Sequence, residues 1–260
     1  TEAVSEIDRE AASVEGVWTD MGAGGNTSEG CGHEGTGTFR GGKLPWRLEW
    51  PAQWGGLGVD FGPFGKDHAE GSWPSGVDVA RNVFGEEPPV PMVYEWFTLN
   101  GDAFSSSEGN VVTVQELLEL IEPEGLRYFF ALHPKKARDL DIERLDQLVD
   151  RFDRFERAYF GEVDYPDLTA FAERAYPYVV SEVRDERVRL PYTFAAVLGM
   201  TDDRDLRIEM ARNEGYIDDD TPKWAIEAAL ERVDRARAWA ERLDNAYNYR
   251  LQETLPDVDF

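Results

Sequence analysis

Apolar residues recur every three to four positions through the second half of the chain, and this period predicts amphipathic helices. Thr113 and Glu116 form a capping-box pattern that opens a helix over 114–121, and Pro123 suits the first turn of the next one. Asp141 is the predicted N-cap of a further helix, which carries its apolar residues on one face and ends at Gly161. That face holds Ile142, Leu145, Val149, Phe152, Phe155 and Tyr159.

Helices dominate the prediction from residue 166 onward. Thr221 and Pro222 begin the longest one, which runs to Leu243 and carries its apolar residues at helical spacing. The charged residues between them are typical of a solvated helix face. No internal repeat is visible along the chain.

The first half of the chain has a different pattern, in which short apolar runs alternate with glycine and proline. Residues 1–14 are predicted to form an acidic helical segment, and residues 21–26 are predicted to form a glycine-rich loop. Residues 44–50 alternate in part with period two. The prediction is a strand at 58–61, a helix at 77–84, another strand within 90–99, and a partial parallel sheet ending near residue 112. An all-helical remainder follows.

Length and composition limit the class of protein. The 260 residues fit one or two domains, and 42% hydrophobic with 12% aromatic content excludes a disordered chain. No apolar run approaches the roughly 20 residues of a membrane span, and no signal-peptide pattern opens the chain. The single cysteine, Cys31, excludes an internal disulfide. A cytoplasmic protein with no membrane partner is therefore expected.

Charge is the unusual property of this sequence. It has 52 acidic against 27 basic residues, a net charge of −25, and only five of the basic residues are lysines. An acidic, lysine-poor surface over an ordinary core indicates adaptation to molar salt, where the Debye length falls to about 3 Å. Docking to a polyanion must then depend on shape, stacking and short-range hydrogen bonds.

The segment Phe104-Ser105-Ser106-Ser107-Glu108-Gly109-Asn110, here called the serine-rich motif, is the strongest candidate for chemistry. Its hydroxyls and unhindered backbone N–H groups are the donors that hold phosphate oxygens. Taken alone, the same composition also fits an ordinary surface loop.

Six short segments follow one another in a fixed order: CGHEG at 31–35, GKLPWR at 42–47, WPAQW at 50–54, PFGKDH at 63–68, YEW at 94–96, and the serine-rich motif. Together they resemble class I lysyl-tRNA synthetases of the archaeal type. The resemblance covers residues 31 to about 160. After residue 160 the sequence is compatible with the family's helical tRNA-binding region, without a sharp motif.

The resemblance implies an α/β fold, with part of a Rossmann-type class I catalytic core followed by an all-helical tRNA-binding region. It implies three parts: 1–112 as the C-terminal portion of the catalytic domain, 113–164 as a helical stem-contact-like region, and 165–260 as part of the helical tRNA and anticodon-binding region. The implied reaction is ATP-dependent activation of lysine, with Mg²⁺, and transfer to tRNA(Lys).

The resemblance also implies two sets of site residues. The ATP set is Phe104, Ser105, Ser106, Ser107, Gly109 and Asn110, with the three serines as catalytic residues. The lysine set is Trp46, Asp67, His68, Tyr94 and Glu95, because a lysine needs a carboxylate or ring acceptor for its ammonium and an aromatic wall for its stem. Core packing is an equal alternative for Trp46 and Tyr94 taken singly.

Three departures from the family set the expected activity. Relatives carry a lysine on each side of the serines, where this chain has Ala103 and Glu108. The family's His-Ile-Gly-His signature is absent. Cys31 and His33 match a zinc-binding segment, but one cysteine and one histidine cannot close a tetrahedral site, so loss of the zinc site is expected. The chain is therefore interpreted as an incomplete portion of a synthetase, with doubtful activity by itself.

Two alternatives remain open from sequence. Ala103, Glu108 and the missing histidine signature favour a non-catalytic tRNA-binding or interaction protein on the same scaffold. An acidic hydrolase using two carboxylates is the other, although nothing in the sequence singles out a pair.

Overall fold

The computed structural model describes residues 4–17, 21–23, 26–41, 44, 46–103, 111–185 and 187–251. The chain divides into two compact units, residues 1–93 and residues 94–260, which are called the first and second units below. The three-part functional division drawn from the family resemblance stays a prediction.

The first unit contains small sheets and two helices. Its strands are β1 (Val4–Asp8), β2 (Ser13–Val17), β3 (Met21–Ala23), β4 (Asn26–Ser28), β5 (Glu34–Thr38), β6 (Phe61–Gly65) and β7 (Val90–Tyr94), the last of which reaches the start of the second unit. Its helices are α1 (Trp46–Leu57) and α2 (Ser72–Val79). A 3-10 turn, Lys66–His68, lies between β6 and α2, and a π-helical turn, Ala80–Phe84, follows α2.

The prediction of a helical segment at residues 1–14 is wrong, because the chain forms the hairpin β1–β2 there. Asp8 begins the turn, since its Oδ1 accepts hydrogen bonds from the backbone N–H groups of Glu10 and Ala11, both at 2.9 Å. Ala12 completes the reversal with a φ of +50°. β5 then pairs antiparallel with β2, and β3 pairs antiparallel with β4 within the stretch expected to be a loop.

The predicted parallel sheet does not extend to the first five strands. The pairings of β1 to β5 are all antiparallel, and β6 and β7 form a separate two-stranded sheet. Four residues separate β1 from β2, and such a short connection permits a hairpin, whereas a parallel pair needs a crossover of a dozen residues or more. The partly alternating run at 44–50 enters α1 instead of a strand, and the strand expected at 58–61 begins at Phe61.

The second unit is mainly helical. Its elements are strands β8 (Phe97–Leu99), β9 (Asp102–Ala103) and β10 (Arg138–Leu140), and helices α3 (Val114–Leu120), α4 (Pro123–Ala131), α5 (Leu145–Tyr159), α6 (Pro166–Val179), α7 (Tyr192–Leu198), α8 (Arg204–Asn213) and α9 (Lys223–Leu243). One hydrophobic core joins these helices, with Leu145, Phe155 and Trp239 among its fully buried side chains.

Most predicted helix boundaries in this unit are confirmed. Thr113 and Glu116 form both bonds of the capping box, and Pro123 occupies the first turn of α4. Asp141 caps a 3-10 turn Ile142–Arg144 that leads into α5, and Gly161 follows α5 with a φ of +74°. Among the described residues beyond 165, the regular elements are helices alone.

β10 corrects the expectation that 113–164 is entirely helical. It pairs parallel with β8, with Asp139 opposite Thr98. Arg138-Asp139-Leu140 is too short to show a strand period, so its pairing with a strand about forty residues upstream is decided by tertiary contacts. The crossover between these two strands contains α3, α4 and the serine-rich motif.

Candidate functional site

The serine-rich motif, residues 104–110, lies outside the described residues, but both of its flanks are described. On the upstream side, β8 and β9 form a hairpin in which Thr98 lies opposite Ala103. Asn100 and Gly101 make its turn with φ values of +51° and +87°. Asn-Gly is the strongest sequence signal for such a turn, so the hairpin could have been identified from the sequence, although it was not among the predicted elements.

Asp139, on β10, forms hydrogen bonds with the β8–β9 hairpin. Its Oδ1 accepts hydrogen bonds from the Thr98 hydroxyl at 2.6 Å and from the Gly101 N–H at 2.7 Å. The Asn100 side chain in turn accepts from the Ile142 N–H at 2.8 Å. The chain therefore enters the motif from a point fixed by side-chain and backbone bonds.

On the downstream side the chain reaches a second fixed point at the start of α3. The Glu116 N–H donates to the Thr113 hydroxyl at 3.2 Å, and the Thr113 N–H donates to the Glu116 carboxylate at 2.8 Å. The Thr113 N–H and the Thr113 hydroxyl, which donates to the same carboxylate at 2.9 Å, lower the pKa of Glu116, and the nearby Arg242 guanidinium adds to the effect. Thr113 stands three residues after Asn110, the last residue of the motif.

The first unit holds an aromatic cluster built on α1, here called the tryptophan cluster. Trp46, Trp50 and Trp54 follow one another at four-residue spacing, which places them along one face of the helix. Trp46 and Trp50 stack with ring centroids 5.5 Å apart. Phe64 from β6 and Trp73 from α2 complete the cluster, and these two rings stack at 4.6 Å.

His68 lies at the edge of this cluster. Its ring centroid is 6.0 Å from that of Trp46 and 5.7 Å from that of Trp50, in edge-on arrangements. The His68 Nε2 is 3.4 Å from Asp67 Oδ2. The His68 side chain is 29% exposed and Trp46 is 47% exposed, whereas Trp54 and Phe64 are buried.

Three of the five residues predicted to bind lysine therefore come together: Trp46, Asp67 and His68. The other two, Tyr94 and Glu95, belong to the second unit. Tyr94 packs near Phe97 with ring centroids 6.3 Å apart, and the Glu95 N–H donates to the Pro134 carbonyl at 3.1 Å. A common pocket for all five residues stays a prediction.

The sequence reasoning did not assign Trp50, Phe64 and Trp73 to the site, although their rings surround the predicted pair. The signal was present for Trp50, because tryptophans four residues apart share a helix face. For Phe64 and Trp73 no local signal existed, since they come from two other elements.

The comparison with protein families identifies the chain. The model of the family described as tRNA synthetases class I (K) matches residues 10–181. This chain belongs to the class I tRNA synthetases.

Individual relatives agree with this family. The lysine–tRNA ligase of Natronomonas pharaonis is 64% identical over 262 residues, which cover 100% of this chain and 48% of the relative. That of Haloarcula marismortui is 60% identical with the same coverage, and that of Methanopyrus kandleri is 37% identical over 89% of this chain. This class I synthetase chain thus spans about half the length of the curated relatives it matches.

The segment of this synthetase chain that resembles a zinc site has both of its candidate ligands at the surface. Cys31 and His33 are exposed, and within the described part of the chain no three His, Cys, Asp or Glu side chains are grouped so that they could hold a metal ion. Loss of the zinc site stays a prediction. No helix among the described residues is long and apolar enough to cross a membrane.

Proposed function

We propose that this chain is part of a lysyl-tRNA synthetase that activates lysine with ATP and transfers it to tRNA(Lys). The observation that carries the proposal is the 64% identity with the Natronomonas pharaonis lysine–tRNA ligase across the whole chain. In this reaction a lysine carboxylate oxygen attacks the α-phosphorus of ATP and pyrophosphate leaves. The lysyl group then passes to a ribose hydroxyl of the tRNA, and AMP leaves.

Residues 1–112 are assigned to a Rossmann-type catalytic portion and the lysine site to the edge of the tryptophan cluster. The half-exposed Trp46 ring offers a face to the four-carbon stem of lysine, and Asp67 offers a carboxylate to its ammonium group. His68 lies beside both residues. Tyr94 and Glu95 are assigned to the same substrate by family resemblance.

The ATP site is assigned to Phe104, Ser105, Ser106, Ser107, Gly109 and Asn110, and Mg²⁺ bound with ATP would neutralise part of the phosphate charge there. Such chemistry depends on positioning and on stabilising charge at phosphorus, more than on a side-chain nucleophile. The two fixed flanks, at Ala103 and Thr113, support a role for the segment between them. Ala103 and Glu108 stand where relatives carry lysines, which removes two cations beside the triphosphate.

Residues 113–164 and 165–260 are assigned to tRNA contact, as a stem-contact-like region and an anticodon-binding region. The cytoplasm is the expected location, since ATP, lysine and tRNA meet there.

Lysine-dependent exchange of pyrophosphate into ATP tests the proposal. We expect essentially no exchange from the 260-residue chain in molar potassium chloride, and clear exchange from a full-length form in which the rest of the family's length is restored. A full-length form that exchanges no pyrophosphate with lysine, or that prefers another amino acid, would contradict the proposal. Exchange by the 260-residue chain alone would show that the remaining half is dispensable for activation.

A non-catalytic tRNA-binding protein is the second candidate, and Ala103 with Glu108 is the observation that favours it. It predicts tRNA binding by the full-length form without any exchange. Restoring both lysines, as Ala103→Lys with Glu108→Lys, would then leave the full-length form inactive.

A further inference from the structure

The segment between α4 and β10 concentrates positive charge on an otherwise acidic chain. Residues 125–138 contain no acidic residue, although 52 of the 260 residues of the chain are acidic. Residues 133–138, His-Pro-Lys-Lys-Ala-Arg, are here called the basic turn. Lys135 and Lys136 are the only adjacent pair among the five lysines of the chain, and both are exposed.

The chain does not neutralise these two lysines. Within the described ranges, no Asp or Glu forms an ion pair with Lys135 or Lys136. The preceding cation, Arg127, does have such a partner, since its Nη1 is 3.9 Å from Glu124 Oε1. Two exposed ammonium groups are therefore open to an anion from outside, and phosphate is the group that lysine commonly binds as a point charge.

The backbone of the basic turn is held in one shape. His133 has a φ of +52°, a left-handed conformation that its β-carbon disfavours. The Lys136 N–H donates to the His133 carbonyl at 3.0 Å, and the Glu95 N–H donates to the Pro134 carbonyl at 3.1 Å. The lysines thus project from a backbone that is already ordered, so less conformational entropy is lost when a ligand binds.

An aromatic ring stands next to the basic turn. Phe130, in the last turn of α4, is 45% exposed, and its ring meets Phe97 and Phe129 in T-shaped contacts with centroids 5.1 and 5.4 Å apart. Its carbonyl accepts a hydrogen bond from Arg138 Nη2 at 3.2 Å, which ties this part of α4 to the end of the basic turn. Exposed rings beside cations are the combination with which proteins hold single-stranded nucleic acid.

The basic turn lies close to the point where the chain enters the serine-rich motif. Asp139, Thr98 and Ala103 form one row across strands β10, β8 and β9. Two strand spacings, about 10 Å, separate Asp139 from Ala103. Lys136 is three residues before Asp139, which is at most about 10 Å of chain. A ligand of the basic turn is therefore within about 20 Å of that point of entry.

We propose that the basic turn and Phe130 bind a single-stranded end of RNA, with phosphates on Lys135 and Lys136 and an unpaired base on the Phe130 ring. The inference rests on the function proposed above, in which a ribose hydroxyl of the tRNA must reach a lysyl group activated at the serine-rich motif. The strand that carries this ribose passes the basic turn on its way to the motif. An acidic peptide would also meet the lysines, but it has no base to stack on the ring.

Binding of RNA hairpins to the 260-residue chain, followed by fluorescence anisotropy in potassium chloride, tests the proposal. The probes are a blunt hairpin, the same hairpin with a short single-stranded 3′ end, and a glutamate-rich peptide. We expect the single-stranded end to tighten binding about ten-fold, the effect of one stacked base. Equal binding of the two hairpins, or no binding of either, overturns the proposal. Tighter binding of the peptide than of the hairpins also overturns it and assigns the surface to an acidic protein.

The salt dependence of binding counts the phosphate contacts. Lys135→Gln combined with Lys136→Gln should lower the slope of log K against log salt concentration by about 1.4, which is about 0.7 for each phosphate contact on a single strand. Arg9→Gln combined with Arg40→Gln is the matched control, because it removes two exposed positive charges from the first unit. An unchanged slope in the lysine variant, or an equal decrease in the control, contradicts the assignment.

Phe130→Leu tests the stacking contact separately. It should weaken binding of the hairpin with the single-stranded end about ten-fold and leave the blunt hairpin unchanged. Circular dichroism at each salt concentration confirms folding, and the lysine variants, which change exposed residues only, decide the question if Phe130→Leu does not fold. Equal loss for both hairpins in a folded variant contradicts the stacking contact.

These measurements use neither lysine nor ATP, so they separate this surface from the proposed reaction. A chain that shows the expected RNA preference, while its full-length form does not activate lysine, would contradict the proposed function alone. A full-length form that is active with lysine, while the chain shows no such preference, would contradict the RNA surface alone.

Discussion

At the scale of single residues, His68 is the most informative side chain of the first unit. It is part of a short turn, Lys66–His68, and the edges of two tryptophan rings lie beside it. Its partial exposure keeps it accessible to a ligand, whereas Trp54 in the same cluster is buried and serves packing. Substitution separates these two roles.

His68→Ala in the full-length form should lower kcat/KM for lysine activation at least about ten-fold, the effect of one lost hydrogen bond or ring contact. Its melting temperature should change little. His33→Ala is the control, since it removes an exposed histidine outside the cluster. Unchanged lysine kinetics together with a sharp loss of thermal stability would mean that His68 is a packing residue. Pyrophosphate exchange at varied lysine concentration, with melting curves, measures both quantities.

Part of this site was readable from the sequence. The segments containing Trp46, Asp67 and His68 are short and keep their order, so the family resemblance located them. The neighbours Phe64 and Trp73 were not found, because rings from different elements meet only after the chain has folded. The relation of Tyr94 and Glu95 to this cluster stays a prediction.

At the scale of elements, the helices were predicted better than the sheets for a physical reason. A capping box is local: Thr113 and Glu116 satisfy each other's backbone N–H groups within one turn, whatever lies beyond. Strand pairing requires a distant partner, as for Asp139 opposite Thr98, and no local pattern specifies that register. The Asn100-Gly101 turn is local and could have identified the β8–β9 hairpin, but the sequence prediction did not use it.

Replacing the cap tests its contribution. Thr113→Ala should lower the free energy of unfolding at neutral pH by about 1 kcal/mol, the usual effect of removing an N-cap hydroxyl. Thr113→Ser keeps the hydroxyl and should be nearly neutral. Urea unfolding of the three chains in molar salt gives these values, and equal stability of the alanine and serine variants would contradict the prediction.

The same cap gives a pH dependence. Backbone and side-chain bonds to Thr113 hold the pKa of Glu116 below its ordinary value of 4.5. A carboxyl group with a lowered pKa stabilises the folded chain above the ordinary value, and the contribution is lost as the pH falls through the lowered one. The stability difference between the unmodified chain and Glu116→Gln should therefore be constant near neutral pH and shrink below about pH 4.5. A difference that grows on acidification would contradict this sign.

At the scale of the whole molecule, a net charge of −25 makes stability depend on salt. Screening of the surface carboxylates should raise the melting temperature between 0.1 M and molar potassium chloride.

The buried pair of Arg232 and Asp153 is not exposed to this screening. Asp153→Asn should therefore lower the free energy of unfolding by about 3–5 kcal/mol at both salt concentrations. Glu87→Gln is the control, because the Arg81–Glu87 pair is exposed. It should cost less than about 1 kcal/mol and nothing measurable in molar salt.

The parallel pair β8–β10 has a consequence for the order of folding. The pair closes a chain segment of about forty residues, so its loop-closure entropy must be overcome before any of its hydrogen bonds form. The backbone hydrogen bonds of helices α3 and α4 inside that segment are local, so these helices form sooner. Asp139 therefore reaches Thr98 and Gly101 late, and until then the upstream flank of the serine-rich motif is not yet tied to β10. In a nascent or refolding chain, the affinity for ATP proposed for that motif should appear after most of the helical signal has been recovered.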